Sequence, residues 1–339
     1  MSSQEKHRTE APVNGGRNYN GPKIHYIVLD LEWNQNPCEK EKEIKQLPFE
    51  IVEIGAQKLN EKYEIIDSFH CVINPVLYTQ LNYYVKKVVP VTDAELKKGI
   101  DFKTAAETFS KWCGEDYIFC TWGNMDLTEL QRNYKYFNVN ATFAKPLMFY
   151  DIQKIFAIYC KDPKKKVALK KAVEQLEIVS DEPFHRAVAD AYYTGLVMKA
   201  IDAGQFKKYY SIDLYQNPKS RQEEIYAVFD DYSKFVSKEF STKEEAMKDS
   251  VVTVTKCCKC NKSLRKKIRW FSINGKIYYS LMYCDEHGWM KGKVRMKKTD
   301  EDKFFVVRTI KATDEAGVAL IRSRQEEVRN KRRIRRHRK

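Results

Sequence analysis

The stretch that decides the fold is IHYIVLDLE, residues Ile24–Glu32, a run of β-forming residues that ends in acidic positions. Two similar runs follow it, FEIVEIGAQKL at Phe49–Leu59 and EIIDSFHCVI at Glu64–Ile73, with turn residues between them. Segments this rich in β-branched and aromatic residues, bounded by turn residues, predict three successive strands. We therefore expect the folded region to start with a β-sheet.

Helical spacing replaces the strand pattern further along the chain. Phe102–Trp112 carries apolar residues three and four positions apart, and a short strand, Tyr117–Thr121, precedes a second helical segment, Leu127–Phe137. Further helices are predicted at Asp151–Tyr159, Val167–Leu176 and Ala187–Ile201. Strands first and alternating helices later predict an α/β fold with a mixed central sheet, in which strand-to-helix junctions form the natural site for chemistry.

The length of 339 residues predicts more than one folded unit, because a single hydrophobic core stops growing at this size and the chain usually divides into domains. Periodicity is lost near residue 204, and the polar start of the chain lacks the apolar segment of a secretory signal. We predict a flexible leader (1–22), a first domain (23–203), a linker (204–220), a small strand-rich domain (221–317) and a basic tail (318–339). No apolar run is long enough to span a membrane, and we expect a cytoplasmic protein with no membrane partner.

The net charge of +15 is concentrated in the C-terminal third of the chain. Residues 1–250 carry 35 Lys/Arg against 37 Asp/Glu, residues 251–298 carry 13 against 2, and the last 22 residues carry 10 against 2. A basic segment attached to a near-neutral one is typical of a nucleic-acid-binding appendage. A solvated basic surface would give the same composition, so both interpretations stay open.

Acidic residues stand where two predicted strands end. Asp30 and Glu32 lie two positions apart, so strand alternation places both carboxylates on one face, where a hard cation such as Mg²⁺ or Mn²⁺ would relieve their repulsion. Two solvated residues at a strand end would be the plain alternative. Asp126 follows a strand and Gly123, although Asp126-x-x-Glu129 also matches a helix-capping box.

A histidine and an aspartate occur together in FHRAVADAYYTGLV, before and within a predicted helix. His185 and Asp190 are five residues apart, which is not a same-face spacing. We therefore expect His185 to lie at or before the helix start while Asp190 points at the sheet. A lone histidine is more often structural.

Taken together, these five residues resemble the signature of the DEDDh exonucleases, the superfamily of the DNA polymerase proofreading subunit and ribonuclease T: Asp30, Glu32, Asp126, His185 and Asp190. The segments VLDLEW, PFEIVEIGA, TWGNMDLTEL and FHRAVADAYYTGLV look most like the branch of the sporulation inhibitor KapD and of the histone-mRNA and short-interfering-RNA exonucleases. The resemblance covers residues 22–203 and implies a ribonuclease H-like fold. Trp33-Asn34 departs from the pattern, since many relatives have a small residue and Thr there.

The resemblance also implies a mechanism. Asp30, Glu32 and Asp190 would hold a first Mg²⁺ or Mn²⁺ ion, with Asp30 bridging to a second ion and Asp126 helping through water. His185 would be the general base, because histidine side chains titrate near neutral pH. The products would be nucleoside 5′-monophosphates released from single-stranded 3′ ends.

Four of the nine cysteines crowd between Cys257 and Cys284. Cys257-x-x-Cys260 and Cys284-x-x-His287 form two ligand pairs separated by 23 residues, a spacing that predicts one structural zinc ion in a zinc-ribbon-like domain. Cys258 is an alternative to Cys257, and reduced thiols packed in a small core would be the plain alternative to a metal site.

Basic and aromatic residues alternate between the two ligand pairs, which suits binding to a nucleic acid strand, although a small ribbon also needs aromatics as its core: Arg265, Lys266, Lys267, Arg269, Trp270, Phe271, Tyr278, Tyr279 and Trp289. The sequence as a whole predicts a 3′-to-5′ exonuclease that acts on nucleic acid, with RNA favoured. Two alternatives remain: a DNA exonuclease in repair or end trimming, and an inactive exonuclease fold that serves as a binding adaptor.

Overall fold

The structure of the protein is a computed structural model that describes residues 25–36, 44–140, 143–162, 165–179 and 181–337. The chain divides into two compact units, an N-terminal unit, Pro22–Gln216, and a C-terminal unit, Asn217–Lys339. The predicted leader, residues 1–22, lies outside the described residues.

The described part of the N-terminal unit forms a mixed sheet of six strands in the order β3-β2-β1-β4-β5-β6. The strands are β1 (His25–Gln35), β2 (Phe49–Leu59), β3 (Ile65–Val72), β4 (Tyr117–Thr121), β5 (Met148–Asp151) and β6 (Ser211–Ile212). Strands β1, β4 and β5 run parallel, whereas β2, β3 and β6 pair antiparallel with their neighbours. The predicted α/β fold with a mixed sheet is confirmed.

Helices cover both faces of this sheet. They are α1 (Tyr83–Val88), α2 (Asp93–Lys98), α3 (Phe102–Cys113), α4 (Met125–Tyr136), α5 (Ile152–Tyr159), α6 (Leu169–Gln175) and α7 (Ala187–Ala200). Alternate residues of β1 enter opposite cores: Leu29 packs with α3 and α4, and Val28 packs with α5 and α7. The strand is therefore buried on both sides, which explains its nearly continuous apolar sequence.

The predicted linker at 204–220 is wrong in its first part. Residues Ala203–Tyr209 form a 3-10 helix, and the short strand β6 follows and pairs with β5. The next residue, Asp213, is buried and donates its backbone N–H to the carbonyl of Leu147. A two-residue strand is too short for periodicity to reveal, so the sequence pattern could not show that the first unit extends to Gln216.

The C-terminal unit is built on a second six-stranded sheet, antiparallel throughout, in the order β7-β8-β12-β11-β10-β9. The strands are β7 (Ile225–Val228), β8 (Tyr232–Val236), β9 (Arg265–Ser272), β10 (Ile277–Cys284), β11 (Gly288–Lys298) and β12 (Phe304–Ala312). The helices are α8 (Lys243–Lys248), α9 (Ser250–Thr253) and α10 (Glu315–His337). Strands β7 and β8 form a hairpin around Asp230-Asp231, and the side chain of Thr242 caps the start of α8.

Both faces of the second sheet are packed. On one face, Val294 and Val306 pack with Val252 of α9; on the other, Val318 and Ile321 of α10 pack against Leu281 of β10. The basic tail therefore begins as an amphipathic helix with a buried side.

Among the described residues, no helix combines the length and apolar character needed to cross a membrane.

Candidate active site and cysteine cluster

Strand β1 carries the first two predicted acids on the face that packs against α7. Asp30 is in register with Gly55 of β2, and Glu32 is in register with Glu53. The register then shifts, so that Trp33 pairs with Ile51. Bulges of this kind change the direction of side chains beside functional sites. Here the bulge interrupts the strand alternation directly after Glu32.

Gly55 allows α7 to approach the acids. A Cβ atom at this position would lie 2.0 Å from the backbone nitrogen of Val188 and 2.1 Å from the carbonyl carbon of Ala187. The first turn of α7 therefore rests directly on the backbone of β2, beside Asp30. This contact brings Asp190, one turn into the helix, to the face of the sheet that carries the acids.

His185 lies two residues before α7, as expected, and its side chain is exposed. Its backbone has φ +69°, a left-handed conformation that is unfavourable for a residue other than glycine. Its N–H donates to Oδ2 of Asp190 at 3.2 Å, which closes the loop onto the helix. Strained backbone held by its surroundings is common at active sites.

Asp126 lies in the first turn of α4, where strand β4 leads into the helix. The N-cap is Asn124, and no side chain caps the helix, so the capping-box alternative for Asp126 and Glu129 is wrong. Glu129 instead pairs with Arg132 at 3.1 Å. Asp126 is buried and accepts a hydrogen bond from the backbone of Leu31, between the two acids of β1.

The structure brings the five predicted residues to one end of the sheet. The ligand atoms of Glu32, His185 and Asp190 lie within 4.8 Å of one another. The carboxylates of Asp126 and Asp190 are near enough to Asp30 to act on its ionisation. Residues separated by as many as 160 positions in the chain therefore share one cluster.

Four carboxyl groups of this cluster have raised pKa values, chiefly because they are buried and also because the carboxylates repel one another. The pKa is raised to about 8 for Glu32, to about 7 for Asp126 and to about 6 for Asp190. The pKa of Asp30 is raised well above its ordinary value by burial and by the charges of Asp126 and Asp190. The cluster carries more negative charge than its protein neighbours neutralise.

Two buried carboxylate oxygens in this region, Oδ1 of Asp190 and Oε2 of Glu53, have no hydrogen-bond partner within the described part of the chain. Buried polar atoms without partners are costly, and converging carboxylate oxygens are the ligands that Mg²⁺ and Mn²⁺ prefer. The donor set therefore fits hard divalent cations.

A buried network beside the acids was missed from the sequence. Glu53, fully buried, accepts hydrogen bonds at Oε1 from Arg186 Nε at 3.0 Å and lies 2.6 Å from His70 Nε2. Arg186 also reaches Glu95 of α2 at 3.5 Å. Two sequence features could have indicated this network. Strand alternation places Glu53 of β2 on the same face as Glu32 of β1, and Arg186 directly follows His185.

The departure at Trp33-Asn34 has a structural explanation. Asn34 is fully buried, and its side chain bonds the carbonyls of Tyr78 and Gln80 and the N–H of Asn82. All of its hydrogen-bonding groups are used to hold this loop, so Asn34 is not free to contact a substrate. Helix α1 follows at once and exposes two aromatic rings, Tyr83 and Tyr84.

The second cluster joins the two predicted cysteine pairs. Cys257 and Cys260 lie in the turn before β9, Cys284 ends β10, and His287 lies in the turn to β11. All four ligand atoms lie within 4.8 Å of one another. Cys258 is not part of this cluster, and its sulfur lies 3.6 Å from the carbonyl oxygen of Asp231.

The separations in this cluster match a tetrahedral zinc site. Cys260 Sγ and Cys284 Sγ are 3.7 Å apart, and Nδ1 of His287 lies 3.6 Å from Cys284 Sγ and 3.7 Å from Cys257 Sγ. Zinc bonds of about 2.3 Å to sulfur and 2.0–2.1 Å to nitrogen require tetrahedral edges of roughly 3.5–3.8 Å. A disulfide would need about 2.05 Å, so the sulfurs of Cys260 and Cys284 are not bonded to each other.

The aromatic residues near this cluster divide into two groups. Trp270 and Tyr278 pack in the core with Val294, and Phe271 is buried under α10. Two others carry guanidinium groups over their rings: Tyr279 lies 4.7 Å from Arg324, and Trp289 lies 5.8 Å from Arg322. Tyr279 and Trp289 are half-buried and pack beside α10.

Solved structures of nucleases resemble the chain at low sequence identity. The nuclease domain of 3′hExo, a DEDDh family member bound to rAMP, is 19% identical over 56% of this chain and 96% of that chain, with a TM-score of 0.47. A full-length 3′-exonuclease is 20% identical over 58% and 90%, with a TM-score of 0.48. Cell-death related nuclease 4 is 17% identical over 57% and 67%, with a TM-score of 0.46. A sequence search of curated proteins finds no significant match.

A family model described as exonuclease, RNase_T, matches residues 27–198. The matched region is half of the chain, and it contains both acids of β1, Asp126 at the start of α4, and the pair His185 and Asp190 at the start of α7. The chain belongs to the exonuclease family.

Proposed function

We propose that this protein is a 3′-to-5′ exonuclease that releases nucleoside 5′-monophosphates from single strands, with RNA as the preferred substrate. The observation that carries the proposal is the convergence of four carboxylates with an exposed histidine at one end of the sheet. The preference for RNA rests on the resemblance of the sequence to a branch of RNA exonucleases. The retention of all five residues argues against an inactive adaptor.

Asp30, Glu32, Asp126 and Asp190 would hold two Mg²⁺ or Mn²⁺ ions. When bound, such ions supply charge stabilisation to the attacking water and to the leaving 3′ oxygen. The protein itself contributes preorganised oxygen ligands whose mutual repulsion is already built into the fold. Removal of one of them should therefore abolish hydrolysis without removing much buried apolar surface.

His185 would be the general base that accepts a proton from the attacking water. Its side chain is exposed, and its backbone N–H is tied to Asp190, so the imidazole is held at the edge of the carboxylate cluster while it stays accessible to substrate. An imidazole is well suited to accept a proton near neutral pH. The φ of +69° fixes the direction in which this side chain leaves the loop.

The C-terminal unit would bind the substrate strand and hold one structural zinc ion at Cys257, Cys260, Cys284 and His287. All of the net charge of the protein belongs to this unit: residues 217–339 carry 32 Lys/Arg against 17 Asp/Glu, whereas residues 1–216 carry 29 of each. The C-terminal unit would therefore supply most of the charge that neutralises phosphates.

The deciding assay compares RNA and DNA single strands of the same sequence, labelled at the 5′ or the 3′ end, with Mg²⁺ and with EDTA. A 3′ label should be released at once as a mononucleotide, a 5′ label should report gradual shortening, and EDTA should stop both. If the 5′ label were released first as a mononucleotide, or if EDTA did not slow hydrolysis, the proposal would be contradicted. Equal or faster hydrolysis of DNA would reject the preference for RNA.

His185→Ala should lower the rate by roughly 10²–10⁴-fold, the range for loss of a general base, while metal binding is retained. His70→Ala is the matched control, because His70 also contacts a carboxylate of the unit but lies on β3 and not in the loop before α7. A variant at His185 with wild-type turnover and an unchanged pH–rate profile would show that this residue is structural.

A further inference from the structure

Strand β11 presents a row of cations on one face of the C-terminal sheet. Even-numbered residues of β11, including Met290 and Val294, point away from this face and are buried in the cores on the other side of the sheet. Strand alternation therefore places Lys293, Arg295 and Lys297 together on this face. Arg295 and Lys297 are exposed, and Lys293 is half-buried.

Helix α10 lies on the same face and adds a further cation to the row. It packs through Ile321 against Leu281 of β10, the neighbour of β11. Tyr279 of β10 is in register with Lys293, and its ring lies 5.7 Å from Lys293 Nζ and 4.7 Å from the Arg324 guanidinium. The row on the strand and the cation of the helix therefore meet over one aromatic ring.

No carboxylate of the described residues lies within 4.0 Å of Lys293, Arg295, Lys297 or Arg324. Other cations of the unit are paired: Lys298 with Asp302, Lys262 with Glu286 and Lys311 with Asp231. Like charges held side by side without counter-charges repel one another, and an anion laid along the row would relieve that repulsion.

We propose that Lys293, Arg295, Lys297 and Arg324 form a binding track for the sugar–phosphate backbone of a single nucleic acid strand; this rests on the proposed action on nucleic acid. Alternate residues of a strand recur about every 6.8 Å, a repeat comparable to that of phosphates along an extended nucleic acid strand. Tyr279 offers a ring on which a base can stack beside the phosphates.

The test compares two double variants of the full-length protein. Arg295→Gln with Lys297→Gln removes two exposed cations of the track, and Lys262→Gln with Lys298→Gln removes two exposed cations that already have carboxylate partners. Both change the net charge equally. Binding of a fluorescent 30-nucleotide uridine strand is measured in EDTA, over a range of salt concentrations, so that hydrolysis is not needed.

The track variant should reduce the slope of log affinity against log salt by about 1.4, because each phosphate contact to a single strand contributes about 0.7. Its affinity should fall roughly tenfold at physiological salt, whereas the control variant should stay near wild type. Arg324→Gln should reduce the slope by about 0.7. A slope unchanged in the track variant, or an equal fall in the control, would overturn the proposal.

Hydrolysis of a six-nucleotide strand is measured in parallel, and the control double variant should match the wild type. If the wild-type protein hydrolyses no strand, the proposed exonuclease function fails. The binding comparison still decides whether the track exists.

Discussion

At the scale of single residues, the site is defined by carboxylates that the fold forces together. Asp30 is half-buried and lies near the charges of Asp126 and Asp190, so its ionised form is disfavoured in the protein without cations. Such conflict between stability and local chemistry is expected where a site is built to bind a charged ligand.

Asp30→Asn should abolish hydrolysis and, in EDTA, should raise the melting temperature, because it removes one of the repelling charges. Each kcal/mol of relieved repulsion corresponds to roughly 2–4 °C for a unit of this size. Asp213→Asn is the control, since this buried aspartate accepts hydrogen bonds from Gln131 and from Tyr215, and its replacement should lower the melting temperature. Scanning calorimetry with EDTA measures both. A destabilised Asp30→Asn protein would contradict this account.

We expect Arg186 to position His185, because it directly follows that residue and is anchored to Glu53 and Glu95. Arg186→Met should lower kcat by about 10–100-fold with little change in KM, since small displacements of a catalytic group are costly. Arg186→Lys should restore part of the loss. The measurements are kcat and KM.

The control for this prediction is Arg132→Met, which breaks a similar pair with a buried glutamate on α4. It should lower stability without a selective loss of kcat. Equal kinetic effects in the two methionine variants, with no rescue by lysine, would mean that Arg186 acts only through stability.

At the scale of elements, the site depends on how closely α7 approaches β2. The side-chain amide of Gln57 in β2 donates a hydrogen bond to the backbone carbonyl of Val188 in α7. At Gly55 the backbones of β2 and α7 are in direct contact. This contact places Asp190 opposite Asp30. The position of Asp190 is thus set by a residue that has no side chain.

Gly55→Ala should destabilise the N-terminal unit by about 1–3 kcal/mol, because the added methyl group overlaps backbone atoms that cannot move alone. Activity should fall further than stability explains, since α7 would shift. Gly195→Ala, within the same helix, is the control: its Cβ would meet Leu59 at an ordinary 3.6 Å, and helix propensity should add up to about 1 kcal/mol. Urea unfolding of both variants measures the difference. Comparable stability of the two variants would contradict the role of Gly55.

At the scale of the whole molecule, chemistry and charge belong to different units. The N-terminal unit carries the carboxylate cluster, and the C-terminal unit carries the net charge, the cysteine cluster and the proposed track. Because β6 and Asp213 complete the first sheet, a truncation after Ile201 would remove part of the N-terminal unit. A cut after Gln216 respects the boundary instead.

Zinc should copurify with the protein at one ion per chain. Cys260→Ser should release it and unfold the C-terminal unit, because structural zinc contributes folding free energy directly. Cys258→Ser changes an adjacent buried thiol outside the cluster and should keep the ion. Metal analysis and circular dichroism test both variants. Protein purified without chelators that contains no zinc would reject the site, and loss of zinc from Cys258→Ser would reject the assignment of Cys257.

Patterns of short range were readable from the sequence. The apolar run before Asp30 and Glu32 and the two cysteine pairs each depend on residues a few positions apart, where strand or ligand geometry fixes the spacing. The order and flanks of the five site residues pointed to the exonuclease family, and the family match spans them. The sequence by itself therefore determined the fold class, the family and the composition of the candidate site.

Only the tertiary structure decided which distant residues meet. The anchor of Arg186 on Glu53 spans 133 positions, the close packing of Gly55 depends on α7, and the edge strand β6 exists only because β5 lies beside it. The packing of Phe271, Tyr279 and Trp289 likewise depends on which sheet face α10 covers. These features arise from long-range packing, whose energy depends on neighbours that no local pattern specifies.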